Sequence, residues 1–222
     1  MVGDTGLLAQ VGDGIDRETN LLVHNLVHAI ELDPPAGFIE VIPAYNCLLI
    51  NYDPIKSSIN DWIEMVESHF YAPQSCIRNV PRLIEIPVCY GEDFGPDMEF
   101  VAELNGLSTD DVIRIHSSVD YFVYMLGFTP GFAYLGGMDH RLFAPRLETP
   151  RDRVFEGSVG IASAQTGIYP VSSPGGWRLI ARTPIKLFTP DNELPFRYRA
   201  GDVIRFRPID RIEFESISRS NG

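Results

Sequence analysis

The chain has 222 residues, of which 45% are hydrophobic and 11% aromatic, so it can bury a substantial core and is not of the disordered class. Its net charge of −12 argues against a nucleic-acid partner, because nucleic-acid phosphates require a basic surface. No apolar run approaches the roughly 18 residues of a membrane span, and residues 1–4 lack the features of a signal peptide. We therefore expect no membrane association.

The cysteines and lysines exclude several kinds of site. Cys47, Cys76 and Cys89 are odd in number and lack metal-ligand spacing, which indicates reduced thiols in a cytoplasmic protein without a bound metal. The two lysines, Lys56 and Lys186, do not lie in glycine-rich loops, so no P-loop is expected to hold a nucleotide.

Positive charge is concentrated in the last third of the chain. Residues 141–222 contain thirteen bases, twelve of them arginine, against nine acids. Arginine binds carboxylates and phosphates through a planar fork that lysine lacks. Ion pairs with nearby acids on strand surfaces explain most of these arginines, but the excess also favours an anionic ligand or an acidic partner surface.

The first 90 residues alternate between strand and helix patterns. Asp16 is a predicted N-cap for a helix with an apolar face, and Ser58 with Asp61 forms a capping box for a second helix. Short apolar runs predict strands at 7–11, 38–42, 47–52 and 83–88. This order, β-α-β-β-α-β, predicts a small split βαβ unit.

The remainder has a different pattern. Short helices are predicted near 98–104 and 108–116, the second with a capping box of Ser108 and Asp111. After Tyr121 we find only short strands separated by glycine and proline turns, which is typical of a barrel or a folded sandwich, and no further helix. We predict an α+β protein with an N-terminal domain over 1–80 and a β domain over 81–222.

A glycine-rich region dominates this second domain. Nine glycines and five prolines lie between Gly127 and Trp177, interleaved with aromatic residues. Flexible linkers are not built in this way, because aromatic side chains at this density need packing partners. A β domain with tight turns would explain the pattern. A moulded binding surface, whose loops carry the chemistry, is the more specific interpretation.

Several polar residues near these loops are candidates for a site. His116 ends the capped helix and leads into the strand before the loops, where it could transfer a proton near neutral pH. A buried imidazole with hydrogen-bonded nitrogens is the alternative. Gln165 could orient a polar ligand, and tyrosines could form apolar walls with polar tips. The nearby tyrosines are Tyr134 and Tyr169, and the nearby arginines are Arg146, Arg151, Arg178 and Arg182.

Four segments together resemble the KipI family, also called the 5-oxoprolinase B-subunit family or allophanate hydrolase subunit 1-like family. They are 127–137, 157–162, 165–170 and 173–177, and the resemblance extends over essentially the whole chain. Two small departures occur: Phe155-Glu156 stands where the family has a Pro-Ala-like pair, and Ser163 stands where glycine is usual.

The resemblance implies an N-terminal α/β domain followed by a cyclophilin-like β-barrel. It also implies a complex with a C subunit (KipA-like) and an A subunit (LamB/YcsF-like), which opens 5-oxo-L-proline to L-glutamate with ATP. In that complex ATP would be bound mainly outside this chain, and the isolated chain would be inactive. The expected roles are acid/base for His116, substrate positioning for Gln165 and Tyr169, an apolar wall at Tyr134, and anion binding for Arg146 or Arg178.

Two other functions are compatible with the same resemblance. Family members resemble an inhibitor of sensor histidine kinase autophosphorylation, and similar domains occur as carboxyltransferase halves of urea-carboxylating enzymes. Prolyl isomerase activity rests on the barrel fold alone and is the least supported.

Overall fold

The computed structural model describes residues 2–71 and 81–220. The chain divides into two compact units, Met1–Val80 and Pro81–Gly222. Within the described ranges, no helix combines the length and the apolar character needed to cross a membrane. The predicted free thiol of Cys76 lies outside the described residues.

The N-terminal unit is a three-stranded antiparallel sheet with two helices. Its sheet order is β1-β3-β2. In chain order the elements are β1 (Gly6–Gln10), α1 (Arg17–Leu32), β2 (Phe38–Pro43), β3 (Cys47–Tyr52) and α2 (Ile59–Tyr71).

Both predicted caps in this unit are confirmed. The Asp16 carboxylate accepts the Thr19 N–H at 2.8 Å and begins α1, and the Asp61 carboxylate accepts the Ser58 N–H at 2.8 Å before α2. The apolar faces of the two helices pack with one face of the sheet around fully buried Trp62. The Trp62 indole N–H donates to the Ser57 hydroxyl at 2.8 Å, so this large side chain is buried with its polar atom satisfied.

The second unit contains a closed seven-stranded barrel with the order β11-β4-β12-β5-β6-β9-β8, and a separate two-stranded ribbon of β7 and β10. Its strands are β4 (Leu83–Tyr90), β5 (Asp120–Leu126), β6 (Ala133–Gly136), β7 (Arg151–Val154), β8 (Ser158–Ala162), β9 (Gln165–Ile168), β10 (Ser173–Gly175), β11 (Arg178–Arg182) and β12 (Val203–Pro208). Its helices are α3 (Met98–Asn105), α4 (Thr109–Ser117) and α5 (Arg211–Ser220). The predicted α+β class with a β-barrel is confirmed.

The sequence pattern assigns one strand in two ways. The order β-α-β-β-α-β counts the run 83–88 with the N-terminal unit, whereas the predicted boundary places it in the β domain over 81–222. In the structure β4 runs parallel to β12 and antiparallel to β11, where it closes the barrel. Ile86 and Val88 are fully buried in the barrel core. A strand's apolar pattern predicts that one face is buried but does not identify the sheet that buries it, so the sequence could not settle this pairing.

The prediction that no helix follows Tyr121 is wrong, since α5 ends the described chain. The Asp210 carboxylate accepts the Glu213 N–H at 2.8 Å and caps this helix. None of its residues is buried, although Phe214 packs on Phe94 with ring centroids 4.4 Å apart. The sequence pattern gives a weak signal for this helix because only three of its ten residues are apolar, Ile212, Phe214 and Ile217, although its capping residues are readable in the sequence.

Candidate functional site

Four aromatic side chains form a cluster on the outer face of the barrel, and we call them the aromatic cluster: Phe132, Tyr134, Tyr169 and Trp177. The ring centroid of Phe132 lies 4.9 Å from those of Tyr134 and Tyr169 and 5.3 Å from that of Trp177. All three contacts are edge-to-face, the geometry that aromatic quadrupoles favour. The cluster is therefore well packed and mostly buried, since Phe132 and Tyr169 are 1% exposed and Trp177 is 5% exposed, and Tyr134 is its partly exposed member.

Glycines in the neighbouring strands make room for these rings. A Cβ atom on Gly167 would lie 2.9 Å from both Phe132 and Trp177, and one on Gly175 would lie 2.5 Å from the Tyr169 hydroxyl. Real side chains do not tolerate such contacts, so residues larger than glycine would displace the rings. The glycine-rich pattern thus serves to seat aromatic side chains against the barrel as well as to form turns.

Arg146 lies at the edge of the aromatic cluster. It is exposed, and its guanidinium carbon is 5.8 Å from the centroid of the Trp177 ring. Burial raises the pKa of Tyr134, and the positive charge of Arg146 opposes that shift, so the two groups interact electrostatically. Among residues 2–71 and 81–220, no acidic side chain lies within ion-pair distance of Arg146. Its charge is available to an anion from outside the chain.

Gln165 begins β9 on the same side of the sheet. Gly167 pairs with Tyr134 across the β6–β9 ladder, and Gln165 lies two residues earlier on the strand, so its side chain shares the outer face. Diagonal cross-strand neighbours of this kind are roughly 7–8 Å apart, within reach of long side chains. Gln165 is half-buried. The structure therefore places Gln165 and Tyr134 on one face of the barrel, and Arg146 interacts with Tyr134 and Trp177. We call these residues, Gln165, Tyr134 and Arg146, the rim, and the buried rings of the aromatic cluster its floor.

Tyr169 is part of the floor and not of the rim. It is 1% exposed, and burial raises the pKa of its phenol, while a hydrogen bond from the backbone N–H of Trp177 acts in the opposite direction. Its predicted role in positioning substrate is not favoured by this geometry, because its hydroxyl is already engaged within the chain.

Arg178 is held in an ion-pair network. Its guanidinium lies 3.7 Å from the Asp97 carboxylate, 3.8 Å from the Phe100 ring centroid, and donates to the Pro145 carbonyl at 3.2 Å. Asp97 also accepts two 2.9 Å hydrogen bonds from Arg151. Pairing with a nearby acid, the alternative open at the sequence level, describes Arg178 better than anion binding does.

His116 is fully buried inside the barrel. Its Nδ1 lies 2.8 Å from the Tyr90 hydroxyl and its Nε2 lies 3.0 Å from the Thr166 hydroxyl. Thr166 donates its proton to the Gly160 carbonyl at 3.0 Å, so it accepts from Nε2–H, and Nδ1 in turn accepts from Tyr90. This arrangement fixes a neutral imidazole protonated at Nε2.

Burial lowers the pKa of His116 to about 3. An imidazole in this state does not gain or lose a proton near neutral pH, and it contacts no solvent. The predicted acid/base role stays a prediction, and the geometry supports the alternative that the sequence left open, a buried imidazole with satisfied hydrogen bonds.

The structure adds a neighbour that sequence reasoning missed. Phe128 is 65% exposed, and its ring packs edge-to-face on Phe132 at 5.7 Å. Its φ of 66° lies in the left-handed region, which is unusual for a bulky residue. Such strain is characteristic of functional loops. The readable signal was the aromatic residue directly after Gly127 in a glycine- and proline-rich turn.

A cavity of about 440 Å³ lies elsewhere on the second unit. Its lining includes Arg182, Lys186, Phe188 and Phe214, and it contains none of the six residues predicted for the site. From the sequence, Arg182 is expected only to be a cation near the glycine-rich loops. No cluster of three or more histidine, cysteine, aspartate or glutamate side chains suited to a metal occurs within 2–71 and 81–220, where Cys47 and Cys89 are free thiols.

Comparison with known proteins gives a consistent result. Residues 1–198 match the family described as carboxyltransferase domain, subdomain C and D. The chain is 43% identical over 231 residues to the B subunit of 5-oxoprolinase from Bacillus subtilis (strain 168), covering 100% of this chain and 96% of that protein.

Two solved structures are also similar. The conserved uncharacterized protein PH0987 from Pyrococcus horikoshii is 50% identical, with a TM-score of 0.59, over 96% of this chain and 98% of that chain. The crystal structure of TTHA0988 is 37% identical with a TM-score of 0.82, over 92% of this chain but 40% of that chain. The chain therefore belongs to the carboxyltransferase domain, subdomain C and D family, and within it to the B-subunit proteins of 5-oxoprolinase.

Proposed function

We propose that this chain is the B subunit of an ATP-dependent 5-oxoprolinase, which opens the lactam of 5-oxo-L-proline to L-glutamate together with an A subunit (LamB/YcsF-like) and a C subunit (KipA-like). The observation that carries the proposal is the 43% identity, over the whole chain, to the B subunit of Bacillus subtilis. The named relatives are subunits of a hydrolase, and ATP use and the two partners are the finer parts of this proposal.

The lengths of the relatives support action beside another polypeptide. The chain spans 40% of TTHA0988, so the counterpart of this chain in that protein is covalently joined to a larger remainder. Two polypeptides that act together can be joined covalently in one chain or can assemble as separate subunits. We propose that the described barrel contributes one side of a shared site and has no turnover by itself.

The rim of the aromatic cluster fits the chemistry of the substrate. 5-Oxoproline has one carboxylate and a flat amide ring, and Arg146 offers an exposed guanidinium without an acidic partner in the described residues. We assign the carboxylate to Arg146. The ring then lies beside Tyr134, which is partly exposed, and Tyr134 and Gln165 supply hydrogen bonds to the lactam N–H and carbonyl oxygen.

Proton transfer and nucleotide binding are assigned outside this rim. The His116 imidazole is neutral and already makes hydrogen bonds through both nitrogens. We therefore propose that it stabilises β9 through Thr166 and is not one of the reacting groups. Neither lysine lies in a glycine-rich loop, and Lys56 is 3.6 Å from the Asp53 carboxylate. We therefore propose that ATP is bound mainly by the partner subunits.

Omission of single components tests this function. ATP-dependent glutamate formation from 5-oxoproline is measured with this chain alone, with the A and C subunits alone, and with all three. We expect turnover only in the complete mixture. Equal turnover by the A and C subunits without this chain would contradict the proposal, as would the absence of turnover in a complex shown by size-exclusion chromatography to be assembled.

A further inference from the structure

The cavity of about 440 Å³ in the second unit is lined by charged side chains and by apolar, partly aromatic side chains. It lies where β8 begins and β11 ends, and residues after β11 and on α5 complete its lining. Volumes in the range of about 300–1,000 Å³ are typical of small-molecule sites. Its position and lining separate it from the rim formed by Arg146, Tyr134 and Gln165.

Two cations and one acid line this cavity: Arg182, Lys186 and Glu156. Their formal charges sum to +1, although the chain as a whole carries −12. A local positive excess in an acidic protein attracts a monoanion, whereas the overall charge repels a polyanion at longer range. The cavity therefore favours a singly charged ligand over a nucleotide triphosphate.

Arg182 is placed to form an ion pair with an anionic ligand. Its Nε donates to the Glu156 backbone carbonyl at 2.8 Å, and its guanidinium carbon is 5.2 Å from the Phe155 ring centroid. Within the ranges that the structure describes, no carboxylate lies within ion-pair distance of it. Arg182 is half-buried; burial lowers its pKa, and the negative charge of Glu156 opposes that shift. Glu156 compensates this cation from beyond ion-pair distance, and an anionic ligand in direct contact would offset more of the cost of burying the charge.

The remaining wall is apolar and partly aromatic. Phe188 lines the cavity and is held by a stacked contact with Phe196, with centroids 5.1 Å apart. Phe214, on α5, lines it too and packs on Phe94. These contacts fix the two rings before any ligand arrives, so apolar surface can be buried against them without ordering the wall.

We propose that this cavity is a second binding site, specific for an organic monocarboxylate. The carboxylate pairs with Arg182 and Lys186, and the apolar part of the molecule packs against Phe188 and Phe214.

Binding to the isolated chain tests the proposal without requiring turnover, so its result is independent of the 5-oxoprolinase assignment. Benzoate serves as the probe, with benzyl alcohol as the uncharged analogue and inorganic phosphate as the anion without an apolar part. Affinities are measured by isothermal titration calorimetry. The variants are Arg182→Gln and Lys186→Gln, and the matched control is Arg153→Gln, because Arg153 also stacks on Phe155, at 4.9 Å.

We expect benzoate to bind the wild-type chain and to bind each of the two cavity variants about tenfold or more weakly, as for the loss of one charge-assisted hydrogen bond. Arg153→Gln should bind benzoate as the wild type does. Lys186 is exposed, so its variant keeps the test valid if Arg182→Gln fails to fold.

Three results would overturn the inference. They are no binding of benzoate at millimolar concentration, equal binding by the wild type and Lys186→Gln, and phosphate or benzyl alcohol binding as tightly as benzoate. Displacement of benzoate by 5-oxoproline, with the same sensitivity to Lys186→Gln, would support the cavity as a carboxylate site and would move the substrate away from Arg146.

Discussion

The Nε2 nitrogen of His116 lies 3.0 Å from the hydroxyl oxygen of Thr166, and both side chains are fully buried in the barrel. The Thr166 hydroxyl donates its own proton to the Gly160 carbonyl at 3.0 Å. A buried polar pair of this kind is stable only when every donor and acceptor is used. The hydroxyl of Thr166 therefore decides whether the buried imidazole is tolerated.

Replacing Thr166 by valine should destabilise the second unit by about 1–3 kcal/mol, because the shape is kept while the buried Nε2–H of His116 loses its acceptor. Urea unfolding followed by circular dichroism measures the change. Thr166→Ser is the matched control, since it retains the hydroxyl and should lose less. Equal losses for valine and serine would mean that packing, and not the hydrogen bond, stabilises this position.

Stability should fall as the pH decreases below the unfolded-state pKa of His116. The folded-state pKa is about 3, against 6.5 for an exposed imidazole. Between these values the unfolded chain binds a proton that the folded chain excludes, so acid favours unfolding. The neutral state of His116 contributes on the order of 4–5 kcal/mol to the free energy of unfolding. This contribution is present in full above pH 6.5 and is lost as the pH falls towards 3.

Urea titrations at a series of pH values, compared between the wild type and His116→Leu, isolate this contribution. The variant should be less stable near neutral pH, but its stability should depend less on pH below 6.5. Parallel curves for the two proteins would show that the imidazole is not held neutral in the folded state.

The glycines beneath the aromatic cluster give a third prediction. Gly167→Ala would place its Cβ 2.9 Å from Phe132, Trp177 and the Ala133 carbonyl oxygen. We expect a loss of about 1–3 kcal/mol, as for other overpacked sites, with a shift in tryptophan fluorescence. Gly176→Ala is the control, because its Cβ would have no neighbour nearer than 3.7 Å. Equal effects at both positions would contradict this account of the glycine pattern.

Ser163 offers a stabilising substitution. It is the first residue of the two-residue turn between β8 and β9, and its φ of 52° is in the left-handed region. Glycine adopts this conformation without strain, so Ser163→Gly should gain about 0.5–1 kcal/mol after the entropy of the unfolded chain is counted. Thermal unfolding against Ser163→Ala, which keeps the strain, measures the gain. A variant with glycine that melts below the wild type would refute it.

Much of the fold could be predicted because it is encoded locally. Asp16 and Ser108 form caps within one turn of helix, and the structure has both. The pairing of β4 depends on contacts with β11 and β12, which lie far along the chain. Periodicity carries no information about such partners, so the sequence could not place this strand.

The site was predictable in part for the same reason. The turn and strand patterns around Tyr134 and Gln165 indicated a moulded surface, and the register places these two side chains on one face. Whether an arginine is paired depends on long-range contacts. The sequence offers Arg178 and Arg146 equally as anion-binding residues. The fold distinguishes them, because it brings Asp97 to Arg178. The burial of His116 inside the barrel likewise follows from tertiary packing.

The most direct test of the role of Arg146 is the kinetic effect of Arg146→Gln in the assembled three-subunit complex, measured as kcat/KM for 5-oxoproline. We expect a decrease of about tenfold to a hundredfold, the loss expected for one charge-assisted hydrogen bond to the substrate carboxylate. Arg153→Gln should leave kcat/KM unchanged, because Arg153 is also an exposed arginine near an aromatic ring but lies outside the rim. An assembled Arg146→Gln complex with wild-type kcat/KM would contradict the assignment of the substrate to this face of the barrel.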